Sequence, residues 1–356
     1  MEHTARRERL TSRLPELDVE AFLVTRLPNV RYLTGFSGTN GQAVLTAEEG
    51  VFLTDGRYAE QARHEVLGLR RGAYSGDFVN AFAEACRDLG VRRVAFETSG
   101  VSYRLHSELS ATGIDLVPVD DEVERLRWAK DAGEIGLLNV AQSIADHAFE
   151  AILDKLAEGV TERGMAFELD TLLRREAADG LAFDTIMAFG ESAAEPHHHP
   201  TDRPLSRGDV VKMDFGCVVG GYHSDMTRTV AFGEVPGQLQ EVYAVVQKAQ
   251  QAGVDAVRAG VTGESVDLAT RQLISDAGYG EQYKHSLGHG VGLEIHEPPW
   301  LRAGSDQVLP RGAVVTVEPG IYLDGVGGVR IEDMVEVTPG GCRVIPSSSK
   351  ELMVLR

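Results

Sequence analysis

The segment VVKMDFGCVVGGYHSDMTRTV places Asp214 and Asp225 at nearly equal distances from Gly220-Gly221, a glycine pair suited to a tight hairpin turn. Side chains alternate faces along a strand, so either register of such a hairpin puts both carboxylates on one face, directly opposite or diagonal. The pattern recurs in VVTVEPGIYLDGVGGVRIEDMVEV, where Glu318 and Glu332 are equidistant from Gly325 within a DG turn signal. Like charges held face to face are unfavourable unless a cation or proton lies between them. Between the hairpins, HSLGHGVGLEIHEPP sets His289 between two glycines. Four carboxylates and an imidazole on convergent strands make an oxygen-rich site suited to two hard or borderline divalent ions. A single calcium site fits less well, because calcium prefers oxygen ligands. Four unrelated surface acids would rarely fall symmetrically about two successive turns.

The elements around these hairpins divide the chain. Up to about residue 120, short β-rich runs (AFLVT, AVLT, VFLTDG, RVAFET, IDLVPV) alternate with amphipathic stretches (YAEQARHEV, NAFAEACRDLG, SYRLHSELSAT), which predicts a small α/β domain with helices over a sheet. One or two helices are expected from Glu122 to Glu158 and another from Glu162 to Asp179. Strand-like DTIMAFG, DVVKMDFG and DMTRTVAFG follow, then helices near Leu239 to Ala259 and Glu264 to Ala277, then the β-rich runs GVGLEIH, AVVTVEPGIYL, GGVRIEDMVEV and GGCRVI. Helices first and paired strands after predict an α+β domain with helices on a largely antiparallel sheet. The chain is accordingly divided into residues 1–127 and 128–356.

Composition agrees with a globular, two-domain protein: 356 residues, 43% apolar and 25% charged. The charge is −19, from 35 Lys and Arg against 54 Asp and Glu, which disfavours nucleic acid or an anionic membrane as partner. The acid is uneven, with 16 basic and 20 acidic residues up to 127 but 19 and 34 beyond it. Seven of the eleven histidines lie between His197 and His296, so carboxylates and imidazoles concentrate in the same part of the chain. Cys86, Cys217 and Cys342 are widely spaced and expected to be reduced. No apolar stretch resembles a signal peptide or a membrane span, so a cytoplasmic protein is expected.

DFG(x)₈D with SDMTRT, then GHGVGLEIHE, EPGIY and RIED resembles the pita-bread metallopeptidase family of proline-specific peptidases (Xaa-Pro dipeptidases, or prolidases, and Xaa-Pro aminopeptidases, or aminopeptidases P) and methionine aminopeptidases, over roughly Trp128 to Val337. The resemblance implies a pita-bread catalytic domain with metal ligands Asp214, Asp225, His289, Glu318 and Glu332, binding two ions, Mn²⁺ or Co²⁺ before Zn²⁺. All five positions are filled, whereas relatives that act as creatinases or as non-catalytic binding modules have lost such ligands. NVRYLTGFSGTNG and FLTDGRYAEQA resemble the creatinase-type amino-terminal domain of prolidases and aminopeptidases P, which methionine aminopeptidases lack. RLRWAKDAGEI resembles the junction between the domains.

The resemblance further implies that His197, in EPHHHPTDRPL, lies near the scissile carbonyl, that His296 hydrogen-bonds substrate and intermediate, and that His285 lines the pocket for the proline ring. His198 and His199 have no counterpart and are expected in an exposed loop. Arg330, two residues before Glu332, should share its face and hold Glu332 or another site carboxylate. Thr227, two beyond Asp225, should hydrogen-bond that residue's carboxylate. The implied reaction is hydrolysis of an Xaa-Pro bond by a hydroxide shared between two metals. A dipeptidase is favoured over an aminopeptidase acting on longer peptides, and a non-catalytic peptide-binding module is the remote alternative. A homodimer is expected. The chain departs from many relatives at PSSSKEL, where they carry proline before KEL.

Overall fold

The computed structural model describes residues 2–356. It divides into two compact units, one ending at Arg127 and one spanning Trp128–Arg356. No described helix is long and apolar enough to cross a membrane. Cys86, Cys217 and Cys342 are free thiols, the first two buried.

The first unit is a six-stranded sheet of β1 (Ala21–Val24), β2 (Gly41–Leu45), β3 (Gly50–Asp55), β4 (Arg70–Tyr74), β5 (Arg93–Glu97) and β6 (Asp115–Val119), in the order β4-β3-β2-β1-β5-β6. Its helices are α1 (His3–Thr11), α2 (Leu27–Thr34), α3 (Ala59–Glu65), α4 (Phe78–Leu89) and α5 (Tyr103–Ser110). β1 is buried at every residue because both faces are covered. Ala21 and Leu23 pack with Phe82 and Cys86 of α4, and the opposite face includes Phe52, whose ring lies 4.8 Å from that of Phe36. The sequence reading missed β4, whose RRGAY run is largely exposed and lies at the sheet edge, as well as α1 and α2.

The second unit repeats one arrangement twice, a helix pair on an antiparallel sheet. Entered after a helix at Glu122–Trp128, α6 (Ala132–Leu153) opens with an Asp131–Glu134 capping box, and α7 (Glu162–Arg175) opens with Thr161 capping Gly164 N–H. These two helices cover β8 (Ile186–Phe189), β9 (Val210–Phe215) and β12 (Met226–Phe232), with Met187, Val211, Met213, Phe215 and Val230 turned toward them. Between β9 and β12 the chain forms β10 (Cys217–Val219) and β11 (Tyr222–His223), and β10 also pairs with the short β7 (Gly180–Leu181). In the second half, α8 (Gly237–Ala256) and α9 (Gly263–Asp276) cover β15 (Val314–Val317) and β18 (Asp333–Thr338) through Val254, Val266, Val315, Val317 and Val335. The sheet order here is β14-β13-β15-β18-β19, from β13 (Gly288–Gly290), β14 (Glu297–Leu301) and β19 (Gly341–Val344), while β16 (Gly320–Leu323) and β17 (Gly327–Arg330) form a separate hairpin. The final strand β20 (Val354–Leu355) runs parallel to β12.

The GVGLEIH run is not a strand beyond Gly290. Residues 291–296 bend away from the sheet, and the chain re-enters it at Glu297. The PSSSKEL segment is held by its serines: the amides and hydroxyls of Ser347 and Ser348 donate to Asp146 of α6.

Candidate metal centre

Both hairpins have the register their turns imply. Thr227 pairs with Asp214 and Met226 with Phe215, while Val218 pairs with His223 across the Gly220-Gly221 turn. In this register Asp225 stands diagonal to Asp214 on the same face. In the second hairpin, Gly320 pairs with Arg330 on the turn side and Val317 with Asp333 on the other, so Glu318 and Glu332 lie directly opposite each other where the two ladders meet.

His289 sits in β13 between glycines that its neighbours require. A Cβ on Gly288 would lie 2.1 Å from the Thr316 carbonyl oxygen, and one on Gly290 would lie 2.4 Å from that of Pro298. The His289 amide donates to Thr316 Oγ1 at 3.0 Å, and that hydroxyl donates to Glu318 Oε1 at 3.1 Å. His289 Nε2 is 3.3 Å from Glu318 Oε1 and 3.7 Å from Asp225 Oδ2.

Contacts more than a hundred residues apart in sequence join the hairpins. The Glu332 amide donates to the Thr227 carbonyl at 3.1 Å, and Thr229 Oγ1 donates to the Arg330 carbonyl at 2.9 Å. Fully buried Arg228 donates to the Asp333 carboxylate at 2.8 Å and to the backbone oxygens of Thr227 and Glu332. Arg330 binds Asp214 through Nη2, Thr227 Oγ1 through Nε at 3.0 Å, and Tyr322 Oη and the Pro196 carbonyl through Nη1 at 2.9 and 3.1 Å. The carboxylate it holds is therefore Asp214. Thr227 corrects the sequence expectation: its hydroxyl donates to Glu332 Oε2 at 2.7 Å, not to Asp225, because the second hairpin lies directly against this face.

Of the predicted site residues, all but Thr227 line one cavity of about 410 Å³; Thr227 is fully buried behind Glu332. His197 and His296 are exposed on its wall, and the His296 ring stands edge-on to His289 at 4.4 Å. Phe183, Ile186 and Trp300 supply an apolar side. His198 is not the exposed loop residue expected. It is buried, with Nε2 2.9 Å from Glu162 Oε2 and Nδ1 2.7 Å from Glu195 Oε2, because the loop folds back onto the start of α7. His199 is exposed, as expected.

The electrostatics follow from packing four acids in one dry place. Burial, reinforced by Glu332 and the other site acids, pushes Asp225 well above the usual carboxylate range. Burial with Glu318 and Asp214 does the same to Glu332, and burial raises Asp214 against the pull of Arg330. Burial opposes ionisation of Glu318 too, yet the adjacent His289 ring, with His285 and Arg330 beyond it, outweighs burial and brings that carboxyl down to about 2. Burial lowers His285 to about 4 and, with His289, lowers His296.

Hydrogen-bond partners settle the His285 tautomer. Nδ1 lies 2.8 Å from the Ser286 carbonyl, which can only accept, so Nδ1 carries the proton and Nε2 accepts from Tyr322 Oη at 2.8 Å. Tyr322 in turn accepts from Arg330, giving a directed chain from guanidinium to phenol to imidazole. Tyr322, Lys212 and Glu162 were not singled out from the sequence. Only the position of Tyr322 in EPGIY, within the second hairpin, offered a signal.

The residues fit divalent-cation binding. The donor set is four carboxylates and an imidazole, and the ligand atoms of Asp225, His289 and Glu332 all lie within 4.8 Å of one another. Asp214 Oδ1 is buried without a hydrogen-bond partner, an orphan that a cation would satisfy.

Residues 6–128 match the model of the creatinase/prolidase N-terminal domain. Along its length the chain is similar to an Xaa-Pro dipeptidase from Bacillus anthracis, at 40% identity and a TM-score of 0.97, over 99% of this chain and 100% of that one. It is similar to an X-Pro aminopeptidase from Thermotoga maritima at 36% identity and a TM-score of 0.89, over 95% and 98% of the two chains. An Xaa-Pro dipeptidase from Pyrococcus horikoshii is 34% identical over 339 residues, 94% of this chain and 95% of that protein. The two acid-bearing hairpins and the histidine between them fall within residues 136–339, which match the model of metallopeptidase family M24, and the chain belongs to that family.

Proposed function

We propose that the protein is a metal-dependent hydrolase of Xaa-Pro bonds, and most specifically an Xaa-Pro dipeptidase. The observation that carries this reading is the five-residue donor set, with its orphaned Asp214 oxygen, on the wall of a cavity sized for a small peptide. The names of near-full-length relatives support the substrate class. Asp214, Asp225, His289, Glu318 and Glu332 would hold two divalent ions, Mn²⁺ or Co²⁺, within a catalytic domain of residues 128–356 that follows a creatinase-like domain of residues 1–127. Bound there, the ions would supply a water of lowered pKa as nucleophile and Lewis-acid polarisation of the scissile carbonyl.

The chain's own residues then have separable tasks. Arg330 fixes Asp214, and Thr227 fixes Glu332, so the donors keep their aim without rearranging during turnover. His197 and His296 line the cavity, where an oxyanion and then a leaving nitrogen need donors that their imidazoles would supply. His285, uncharged at neutral pH, offers a proline ring a flat, weakly polar face.

The likeness to an X-Pro aminopeptidase favours a second reading, removal of the first residue from longer peptides. Turnover of Xaa-Pro against Xaa-Pro-Yaa with Mn²⁺ separates the two. Cleavage confined to the dipeptide supports the dipeptidase, and comparable cleavage of the tripeptide overturns it. We further infer a cytoplasmic homodimer; light scattering near the 38.6 kDa of one chain would refute the dimer.

A further inference from the structure

Lys212 precedes Asp214 by two residues in β9, and strand alternation sends both side chains to the face that carries the site. The side chain is fully buried, and its Nζ is met by backbone carbonyls. Nζ donates to Ala193 O at 3.1 Å and to Glu195 O, with Pro196 O at 3.5 Å, while the Tyr322 ring centroid lies 5.2 Å away. Burying an ammonium without a hydrogen-bonded carboxylate is costly, and an apolar side chain of the same length would fill the space without that cost.

The carbonyls it gathers belong to the end of a 3-10 turn, Gly190–Ala194, and the residues just after it. A helical end leaves carbonyls without internal partners, and several such dipoles pointing at one spot repel unless a cation lies among them. The rest of this loop is anchored as well. Arg330 donates to the Pro196 carbonyl at 3.1 Å, while Glu162 accepts from Phe189 N at 2.9 Å and from Thr201 N and Oγ1 at 3.0 and 2.6 Å. Between these anchors His197 lines the cavity, and among the described residues its ring has no hydrogen-bond partner, so no side-chain hydrogen bond fixes its position and the backbone must carry more of that task.

We propose that Lys212 is a positioning residue. Its Nζ ties together the carbonyls of Ala193, Glu195 and Pro196 and thereby fixes the backbone from which His197 reaches the substrate. This inference rests on the reading of the cavity as an Xaa-Pro hydrolase site. Lys212 makes no hydrogen bond to the proposed metal ligands, so its effect is expected on His197 and not on metal content.

The test is a double-mutant cycle on the Mn²⁺-loaded full chain with an Xaa-Pro dipeptide, using K212M, H197A and the double variant. K212M is expected to lower kcat/KM about 10–100-fold at unchanged metal content, since misplacing a positioned group by about 1 Å costs up to about a hundredfold. In the H197A background it is expected to cost less than about threefold more, because residues that act through one another are non-additive. Losses that multiply, an unaffected single variant, or loss of metal would each overturn the assignment. Hydrogen exchange on the same proteins gives a second readout, with faster exchange across residues 190–199 expected in K212M and none of the change in β12. Unchanged exchange in that loop overturns the proposal. If the wild type turns over no Xaa-Pro substrate, the proposed activity fails while exchange still judges the positioning. If K212M does not fold, K212Q, which keeps a donor, carries the same cycle.

Discussion

Replacing Asp225 by asparagine separates the site's two demands, because the substitution should stabilise the metal-free protein and disable the loaded one. The ligand atoms of Asp225, His289 and Glu332 lie within 4.8 Å of one another. Two unit negative charges about 4.8 Å apart in an effective dielectric of about 20 repel by roughly 3.5 kcal/mol. Without metal, proton uptake relieves part of this, which is why burial and the neighbouring acids hold the Asp225 carboxyl well above its usual range. A carboxyl whose folded pKa exceeds its unfolded value contributes stability below the unfolded value and loses it as pH rises through the folded one. Metal-free wild type should therefore weaken toward alkaline pH, and Asp225→Asn should lack that contribution. At about pH 8, taking part of the repulsion as relieved, the stripped variant should be more stable by roughly 1–3 kcal/mol, or roughly 2–12 °C in Tm for a unit of this size. With Mn²⁺ at a hundredfold excess over Kd the wild type gains about 2.7 kcal/mol. The variant should gain little, and its turnover should fall by more than the roughly 10–100-fold typical of groups that only support ligands. Thermal melts of chelator-stripped and Mn²⁺-reloaded protein at about pH 5 and about pH 8 read both effects. A stripped variant that melts below stripped wild type at the higher pH, or one that gains as much from Mn²⁺, refutes the reasoning.

Thr227→Val keeps the volume but removes the hydroxyl that donates to Glu332 and accepts from Arg330. Mn²⁺ affinity or turnover should fall about 10–100-fold with the fold intact, and calorimetric titration showing unchanged affinity together with normal turnover would sink the role. In His285→Phe the Tyr322 hydroxyl loses its acceptor at a cost of about 1–3 kcal/mol. Because burial lowers the wild-type ring to about 4, its linked stability is present above the unfolded value of 6.5 and is lost as pH falls toward about 4. The variant should lack this acid-side loss in Tm, and it should keep the wild-type activity profile at neutral pH. A changed profile between about pH 6 and 8 would mean that the ring titrates there, contrary to the hydrogen-bond assignment.

Much of the site could be read before any fold was known, because hairpin register is a local matter. Asp214 with Asp225, and Glu318 with Glu332, are set by turns only a few residues away, and strand alternation then fixes their common face. The strand runs of the first unit were legible because each is a short, continuous apolar run bounded by turn residues, a signal written within the run itself. The Arg-rich edge strand β4 was not, because among the described residues its only strand partner is β3 and little of its surface is buried.

What the sequence by itself determined, then, was the candidate donor set: which acids pair within each hairpin, and that a histidine between glycines accompanies them. The tertiary structure decided which groups hold those donors. Thr227 serves Glu332 instead of its own strand neighbour, Arg330 serves Asp214, and Tyr322 hands its proton toward His285. His198 is buried against Glu162, and Lys212 ends among carbonyls of a loop that carries another histidine. Many of these contacts span more than a hundred residues or join a loop to a strand. They depend on how one hairpin lies against the other and on which carbonyls a buried cation finds nearest. Neither spacing nor periodicity encodes that, because both describe a chain only along its own length.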